Sequence, residues 1–287
     1  MLWLILAIIN AVGYAICGFC DNYITDVVFK AKKQESIKIF YGITYILTAV
    51  ICFAIAGFQY VEPTAILWLL LAGVLSSTAS IFLQIIPIIY LLASFVVFGE
   101  EITPRQLIAF VVIIMAPLVV IFSRRRKRMR KLELGAAGLL LAYCVFAAAS
   151  GIITTRAGEG YDFNMVFGYF VLGRGIMDLI YYYTHPSWRK RYKYVQKTDF
   201  KRLYVSLTAA QVVFLIAEFA GRYALIVGVP ALVSVTSNAL ELIVVFVLGI
   251  ILSILVPVFG REKLSRHIVI AHLIATILAV TGIIILQ

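Results

Sequence analysis

Two charged side chains, Glu218 and Arg222, lie four residues apart inside the apolar stretch FLIAEFAGRYALI. On a helix this spacing places both on one face, where opposite charges offset each other. Charged groups inside a membrane normally face a bundle interior or a water-filled cavity. The pair therefore serves either as a structural ion pair that holds its helix in place or as a recognition site for a zwitterionic metabolite such as an amino acid. We favour recognition.

Glu241 is a further acidic residue in an apolar run, and its own helix has no basic residue within one turn. Burial disfavours the charged form of a carboxylate that has no partner. Glu241 is therefore predicted to take up and release a proton, either alone or by competing with Glu218 for Arg222. The alternative is a protonated side chain that bonds a backbone carbonyl and serves packing alone.

Polar residues recur at helical spacing along four apolar segments, so each set shares one helix face. The stripes are Asn10, Tyr14, Cys17 and Asp21; Ser77, Ser80, Gln84, Pro87 and Ser94; Gln211, Glu218 and Arg222; and Ser234, Ser237, Asn238 and Glu241. Such seams either join helices by hydrogen bonds or line a solvated pathway. The candidate substrate-binding residues are Asn10, Tyr14, Gln84, Tyr143, Gln211, Glu218, Arg222, Asn238 and Glu241.

The composition of the chain indicates that the helices with these polar stripes belong to a membrane protein. Of 287 residues, 63% are hydrophobic and 14% are charged, and the mean hydropathy is +1.03. An average soluble domain has about 25% charged residues. The N-terminal stretch MLWLILAIINAVGYAICGFCD has neither a basic start nor a small-residue cleavage site, so we expect a first span rather than a signal peptide.

Segments of sufficient length to cross a bilayer, about 17 to 25 residues, are predicted at 2–20, 38–59, 104–123, 134–155, 163–183, 203–228, 230–256 and 266–286. The remaining segment, 64–98, has no charged residue and is too long for one ordinary span. Basic loops normally lie in the cytoplasm. Placing the loop that precedes residue 38 and the loop RRRKRMRK on one side requires two passes within 64–98, with a turn near Ser76 and Ser77.

The expected fold is therefore an all-α, polytopic membrane helix bundle of about ten transmembrane helices with both termini outside. Five spans per half would give two inverted repeats, a recurring plan of transporters. The expected units are residues 1–123 for the first repeat, 124–132 for a basic connecting loop and 133–287 for the second repeat. The third and fourth helices of the first repeat are expected to be shortened.

Two similar patterns support this duplication. Gln84, Pro87, Gly99 and Glu100 precede ITPRQLIAFVVIIMAPLVVIF, and Asn238, Glu241, Gly260 and Glu262 have comparable positions in the second half. The pattern resembles the EamA branch of the drug/metabolite transporter superfamily, whose members are ten-span exporters or importers of small metabolites. In the first half, Ala109 and Ala116 stand where that family often has glycine.

The resemblance implies a transporter of small metabolites, and the Glu218 and Arg222 pair favours an amino-acid-like or amphiphilic one. We therefore expect a secondary-active exporter that works by alternating access, in the cytoplasmic membrane of a prokaryote. Proton coupling and contact of the basic loops with anionic lipid headgroups are further expectations. The alternatives are a non-transporting scaffold or assembly protein, and a nucleotide-sugar or phosphate exchanger of the same superfamily. We predict no enzymatic activity, cofactor, metal or nucleic-acid partner. Arg174 and Asp178, four residues apart, are interpreted as a structural ion pair.

Overall fold

The computed structural model describes residues 1–24, 38–78, 90, 99, 103–123, 134–198, 200–255 and 266–286. These residues form ten helices and no strand, which confirms the all-α prediction. The helices are α1 (Leu2–Tyr23), α2 (Lys38–Ala56), α3 (Pro63–Thr78), α4 (Pro104–Ser123), α5 (Leu134–Ala157), α6 (Phe163–Thr184), α7 (Pro186–Thr198), α8 (Phe200–Val227), α9 (Pro230–Leu255) and α10 (Arg266–Leu286).

Several helices begin where the sequence contains a start signal. Proline is the first residue of α3, α4, α7 and α9, a position that needs no backbone N–H donor. Before α4, the Thr103 hydroxyl accepts from the Gln106 backbone N–H, and the Gln106 side chain accepts from the Thr103 backbone N–H. This reciprocal pair is a capping box. The Asp162 side chain accepts from the Asn164 N–H and caps α6 in the same way.

Five helices in the described part of the chain are long and apolar enough to cross a membrane, namely α1, α2, α6, α8 and α9. Shorter apolar helical stretches occur in α3, α4, α5 and α10. On α2, large apolar side chains point away from the protein and form one exposed surface; they are Ile43, Leu47, Val50, Ile51 and Ile55. These features are compatible with an integral membrane protein, because lipid tails are the solvent that such a surface favours.

Residues 186–198 differ from the prediction, which placed a basic loop between two spans. They form α7, whose sequence PSWRKRYKYVQKT is amphipathic. Tyr192 and Val195 pack with Leu203 and Leu207 of α8, while the side chains of its lysines are exposed. The segment is polar on average, so its composition does not indicate a packed helix. Two of its apolar residues, Tyr192 and Val195, are three positions apart and hold α7 against α8.

The predicted double crossing at 64–98 is described only in its first part. Helix α3 ends at Thr78, beside the turn predicted near Ser76 and Ser77. Pro87 and the remainder of the second crossing lie outside the described residues, apart from Tyr90, which is buried.

Close backbone contacts pack α3 against α6. A Cβ atom at Gly73 would overlap the Phe170 carbonyl oxygen, and a Cβ atom at Gly173 would overlap the Leu70 carbonyl oxygen. The most extensive helix contacts elsewhere join α2 to α6, α1 to α8, and α4 to α10. Ala109 and Ala116 are fully buried, and Ala109 meets Gly282 where α4 packs on α10.

Gly73→Ala is expected to destabilise the protein by about 1–3 kcal/mol, because the added methyl group must displace backbone. Gly18→Ala is the matched control, since nothing lies within 4 Å of a Cβ atom at that helical position. The control is expected to stabilise by about 0.5–1 kcal/mol through helix propensity. Thermal unfolding in detergent measures both. Equal melting temperatures for the two variants would contradict the close α3–α6 packing.

Candidate functional site

A cavity of about 380 Å³ lies between helices α1, α3, α5, α6, α8 and α9. Its polar lining residues are Asn10, Tyr14, Asp21, Ser76, Arg174, Glu218, Arg222, Ser234, Ser237, Asn238 and Glu241. Tyr90 and several apolar side chains complete the wall. The cavity thus concentrates charged groups inside an otherwise apolar helix bundle.

Glu218 on α8 is the most heavily partnered acid of this cavity, and its side chain is only 3% exposed. One carboxylate oxygen accepts from Nε of Arg222 at 2.8 Å. The other accepts a hydrogen bond from the Tyr14 hydroxyl and lies 3.7 Å from Nη1 of Arg174. Two guanidinium groups from two helices therefore share one buried carboxylate.

Arg222 has a partner for each of its three guanidinium nitrogens. Nε donates to Glu218, Nη1 to the Thr154 hydroxyl at 3.3 Å, and Nη2 to the Ser150 hydroxyl at 3.1 Å. The guanidinium carbon lies 4.1 Å from the centre of the Phe170 ring. Satisfied donors and a stacked ring hold this charge in one position.

Arg174 is the second cation of the cavity, and it has fewer hydrogen bonds. Its guanidinium lies over the rings of Tyr45 and Phe214, at 5.0 and 4.5 Å from their centres. Nη1 donates to the Ser76 hydroxyl at 3.1 Å. Nε is buried and has no hydrogen-bond partner in the part of the chain that the structure describes.

The predicted Arg174–Asp178 ion pair is wrong. Arg174 pairs with Glu218, whereas Asp178 accepts from the Lys38 ammonium at 2.7 Å and from the Ser77 hydroxyl. Spacing of four residues permits contact along one helix, but partners on neighbouring helices compete for the same charges. Here α8 supplies the acid for Arg174, and α2 supplies the base for Asp178.

The cavity is also lined by Asp21 from α1 and Glu241 from α9. Asp21 accepts from the Tyr41 hydroxyl at 2.9 Å. Among the described residues, none forms an ion pair or hydrogen bond with the Glu241 carboxylate. Arg222 bonds Glu218 instead, so the two acids do not share this cation in the structure. In the described part of the chain, neither acid has a cation partner, and Glu241 also lacks a hydrogen-bond donor, so it is the carboxylate of the two that is more available to a cation in the cavity.

The two asparagines of the cavity are held by backbone carbonyls. Asn10 donates to the Ala217 carbonyl at 2.8 Å, and it lies so close to Gly221 that a Cβ atom there would overlap its amide. Asn238 donates to the Ser234 carbonyl of its own helix at 2.7 Å. Both amides therefore have a defined orientation at the wall.

Six of the nine predicted site residues line this one cavity: Asn10, Tyr14, Glu218, Arg222, Asn238 and Glu241. Gln211 is buried and does not line it. Gln84 and the side chain of Tyr143 lie outside the described residues. That these residues bind a substrate stays a prediction.

Several residues at or beside the cavity were not among the predicted binding residues. They include Arg174, whose predicted role is structural, and Asp21, Ser76, Tyr90, Ser150, Thr154, Ser234 and Ser237. Ser150 and Thr154 are separated by four residues on α5 and are almost fully buried. Their helical spacing was a signal that could have found them. Tyr90 packs against Gly151 of the same helix, a contact that no periodicity in the sequence predicts.

The arrangement can bind a small polar molecule with charges of both signs. Two arginines share the carboxylate of Glu218 at the cavity wall, and Asp21 and Glu241 add two further carboxylates. No group of three or more histidine, cysteine or acidic side chains suited to a metal occurs within the described ranges.

The fold and the cavity define a helical protein with several long apolar helices, compatible with insertion in a membrane. No protein-family model matches the chain, and no curated protein matches it significantly. The function is therefore argued from the cavity.

Glu218→Ala is expected to destabilise the protein by about 3–5 kcal/mol, because two guanidinium groups would remain buried without their carboxylate. Glu159→Ala is the matched control. Glu159 pairs with Arg156 at 3.0 Å, and both side chains are more than half exposed. Loss of an exposed pair costs about 1 kcal/mol or less.

Thermal unfolding in detergent compares the two variants. A Glu218→Ala protein as stable as the Glu159→Ala control would show that the buried network contributes no stability.

Proposed function

We propose that this chain is a secondary-active transporter of a small amino-acid-like or amphiphilic metabolite, which it exports by alternating access. The observation that carries the proposal is the charged cavity of about 380 Å³ among long apolar helices. Ionisable groups inside a membrane are costly, and they commonly mark a substrate or ion pathway. A bundle that served packing alone would gain nothing from a cavity lined with acids and bases.

The pairing of the helices supports an architecture of ten spans in two inverted repeats. In this proposal α1, α2, α3, residues 79–98 and α4 correspond to α5, α6, α8, α9 and α10, in that order, and α7 is a surface helix. Under this exchange the α2–α6 and α4–α10 contacts map onto themselves. The α1–α8 contact maps onto the α3–α5 contact, and both are extensive. Such a correspondence is expected for two repeats related by a pseudo-two-fold axis, although the extensive α3–α6 contact is matched by a much smaller contact between α8 and α2.

Tyr90 supports the same correspondence. Helix α9 packs on α1, so the segment that contains Tyr90 should pack on α5. Tyr90 does lie against Gly151 of α5, beside Ala148, and it lines the same cavity. The repeats would contain an odd number of spans, and they would therefore have opposite orientations in the membrane.

This architecture favours membership of the EamA branch of the drug/metabolite transporter superfamily, with residues 1–123 and 133–287 as the repeats. The basic segments, including RRRKRMRK and α7, are proposed to face the cytoplasm and anionic lipid headgroups of a prokaryotic inner membrane.

A zwitterion fits the charges of the cavity. Its carboxylate would meet the arginine side, and its ammonium group would meet Glu241, which has no cation partner among the described residues. When no substrate cation is present, a proton could occupy Glu241 instead. Glu241 is therefore the residue that we assign to proton coupling.

The two alternatives make different demands. A scaffold would need neither the cavity nor the orientation of its polar groups. A nucleotide-sugar or phosphate exchanger would need more positive charge than one arginine provides. Arg174 adds a second cation, but Glu218 neutralises one of the pair, which leaves a single excess positive charge for a substrate.

Asn10→Leu and Asn238→Leu test the proposal, with Thr48→Leu as the matched control. Thr48 is a partly buried polar residue on α2 that bonds its own helix and lies outside the cavity. A transporter should lose most of its flux in both asparagine variants and retain it in the control. The measurement is uptake of radiolabelled amino acids, and of phosphate as a comparison, into proteoliposomes.

A scaffold predicts no protein-dependent flux in any of these proteins and equal or greater thermal stability of the leucine variants. An absence of protein-dependent flux would contradict the transport proposal. Flux of phosphate but not of amino acids would favour the exchanger.

A further inference from the structure

We infer that Arg174, and not Arg222, binds the substrate, and that it recognises a single carboxylate. This inference rests on the proposed transport function and deepens it, because it names the chemical group that one side of the cavity selects. The two arginines line the same cavity and share Glu218, yet their hydrogen bonding differs.

Arg222 has little capacity left for a ligand. All three of its nitrogens donate to side chains of α8 and α5, and its flat face covers the Phe170 ring. A substrate carboxylate would have to displace Glu218, Thr154 or Ser150. Each displaced group is almost fully buried, and a buried polar group without a partner is unfavourable. Arg222 is therefore a positioning residue that holds Glu218.

Arg174 has the capacity that Arg222 lacks. Its one hydrogen bond within the usual distance goes from Nη1 to Ser76, and its contact with Glu218 is longer, at 3.7 Å. Nε is buried and has no hydrogen-bond partner among the described residues. An arginine has five N–H donors in a planar fork, so several remain for a ligand in the cavity.

The rings of Tyr45 and Phe214 restrict the position of this guanidinium. Both lie over the guanidinium, and Ser76 holds one of its nitrogens. A guanidinium whose position is restricted in advance loses little freedom when it binds a carboxylate, which it can engage with two parallel hydrogen bonds. The geometry suits a planar carboxylate better than a neutral hydroxyl or an amine.

The cluster of Arg174, Arg222 and Glu218 leaves one positive charge for a ligand, and Asp21 and Glu241 line the same cavity, so a ligand with more than one negative charge is disfavoured. Arg174 and Arg222 together carry one more charge than Glu218 offsets. A single carboxylate would pair with Arg174, whereas an amine, whose ammonium group would still meet Glu241, would leave the free donors of Arg174 without an acceptor. The rejection of amines should therefore depend on Arg174.

The experiment compares each standard amino acid with its decarboxylated amine, for example leucine with isoamylamine and phenylalanine with phenethylamine. The deaminated acids isocaproate and hydrocinnamate complete the series. Binding to the purified full-length protein is measured by ligand-induced thermal shift and by competition for uptake in proteoliposomes. The quantity of interest is the ratio of the affinities for amino acid and amine, which does not depend on the folded fraction of a variant.

The wild-type protein should prefer the amino acid to its amine by about 10- to 100-fold, the value of a charge-assisted hydrogen-bond pair. In Arg174→Gln this ratio should approach one, mainly through weaker binding of the amino acid. In Arg222→Lys the protein should be less stable, but the ratio should remain near the wild-type value. Ser76→Ala, which removes the partner of Nη1 of Arg174, should lower the ratio by a smaller factor. This variant replaces Arg174→Gln in the test if Arg174→Gln does not fold.

Three results would overturn the inference. A wild-type protein that transports amines as well as amino acids would remove the carboxylate requirement and leave the transport function standing. Loss of the preference in Arg222→Lys together with its retention in Arg174→Gln or Ser76→Ala would assign recognition to Arg222. An absence of binding and flux for every probe would contradict the proposed amino-acid-like substrate itself, and the inference with it.

Discussion

Much of the helix arrangement in this protein depends on one buried carboxylate that two guanidinium groups share. Glu218 of α8 contacts Arg222 on its own helix, Arg174 on α6 and the Tyr14 hydroxyl on α1. The arginines extend the network to Ser76 on α3 and to Ser150 and Thr154 on α5. An unpaired charge in an apolar interior is strongly unfavourable, so these five helices must keep positions that satisfy all three charges at once.

The rest of the packing is consistent with that constraint. Glycines allow α3 and α6 to approach until backbone meets backbone, which brings Ser76 within hydrogen-bond distance of Arg174. Helices α4 and α10 pack on each other and on α9 through small residues, away from the charged network. The cavity is lined by the charged network and by α9, which contributes Ser237, Asn238 and Glu241. In the transport proposal, α9 would be the element through which a change of cation at Glu241 reaches the rest of the bundle.

Hydrophobic length predicted most of the fold, because a run such as 163–183 or 266–286 has few alternatives to a helix. Helical spacing also placed Asn10, Tyr14 and Asp21 on the face that lines the cavity, since periodicity is a property of one helix. It could not predict which helices meet. Arg174 was therefore paired with Asp178, its neighbour in sequence, although α8 and α2 supply the partners in the structure. Helix α7 was missed for a related reason: its polar composition concealed the two apolar residues that pack on α8.

The central claim is that the charged cavity opens to each side of the membrane in turn. Gly18 lines the cavity and has space for a side chain, so Gly18→Cys, made in a variant without the native cysteines, supplies a reporter. Its reaction with a membrane-impermeant thiol reagent is measured in right-side-out and inside-out vesicles. The account predicts labelling from both sides, with both rates reduced by an amino acid that binds. Labelling from one side only, unaffected by any amino acid, would contradict alternating access.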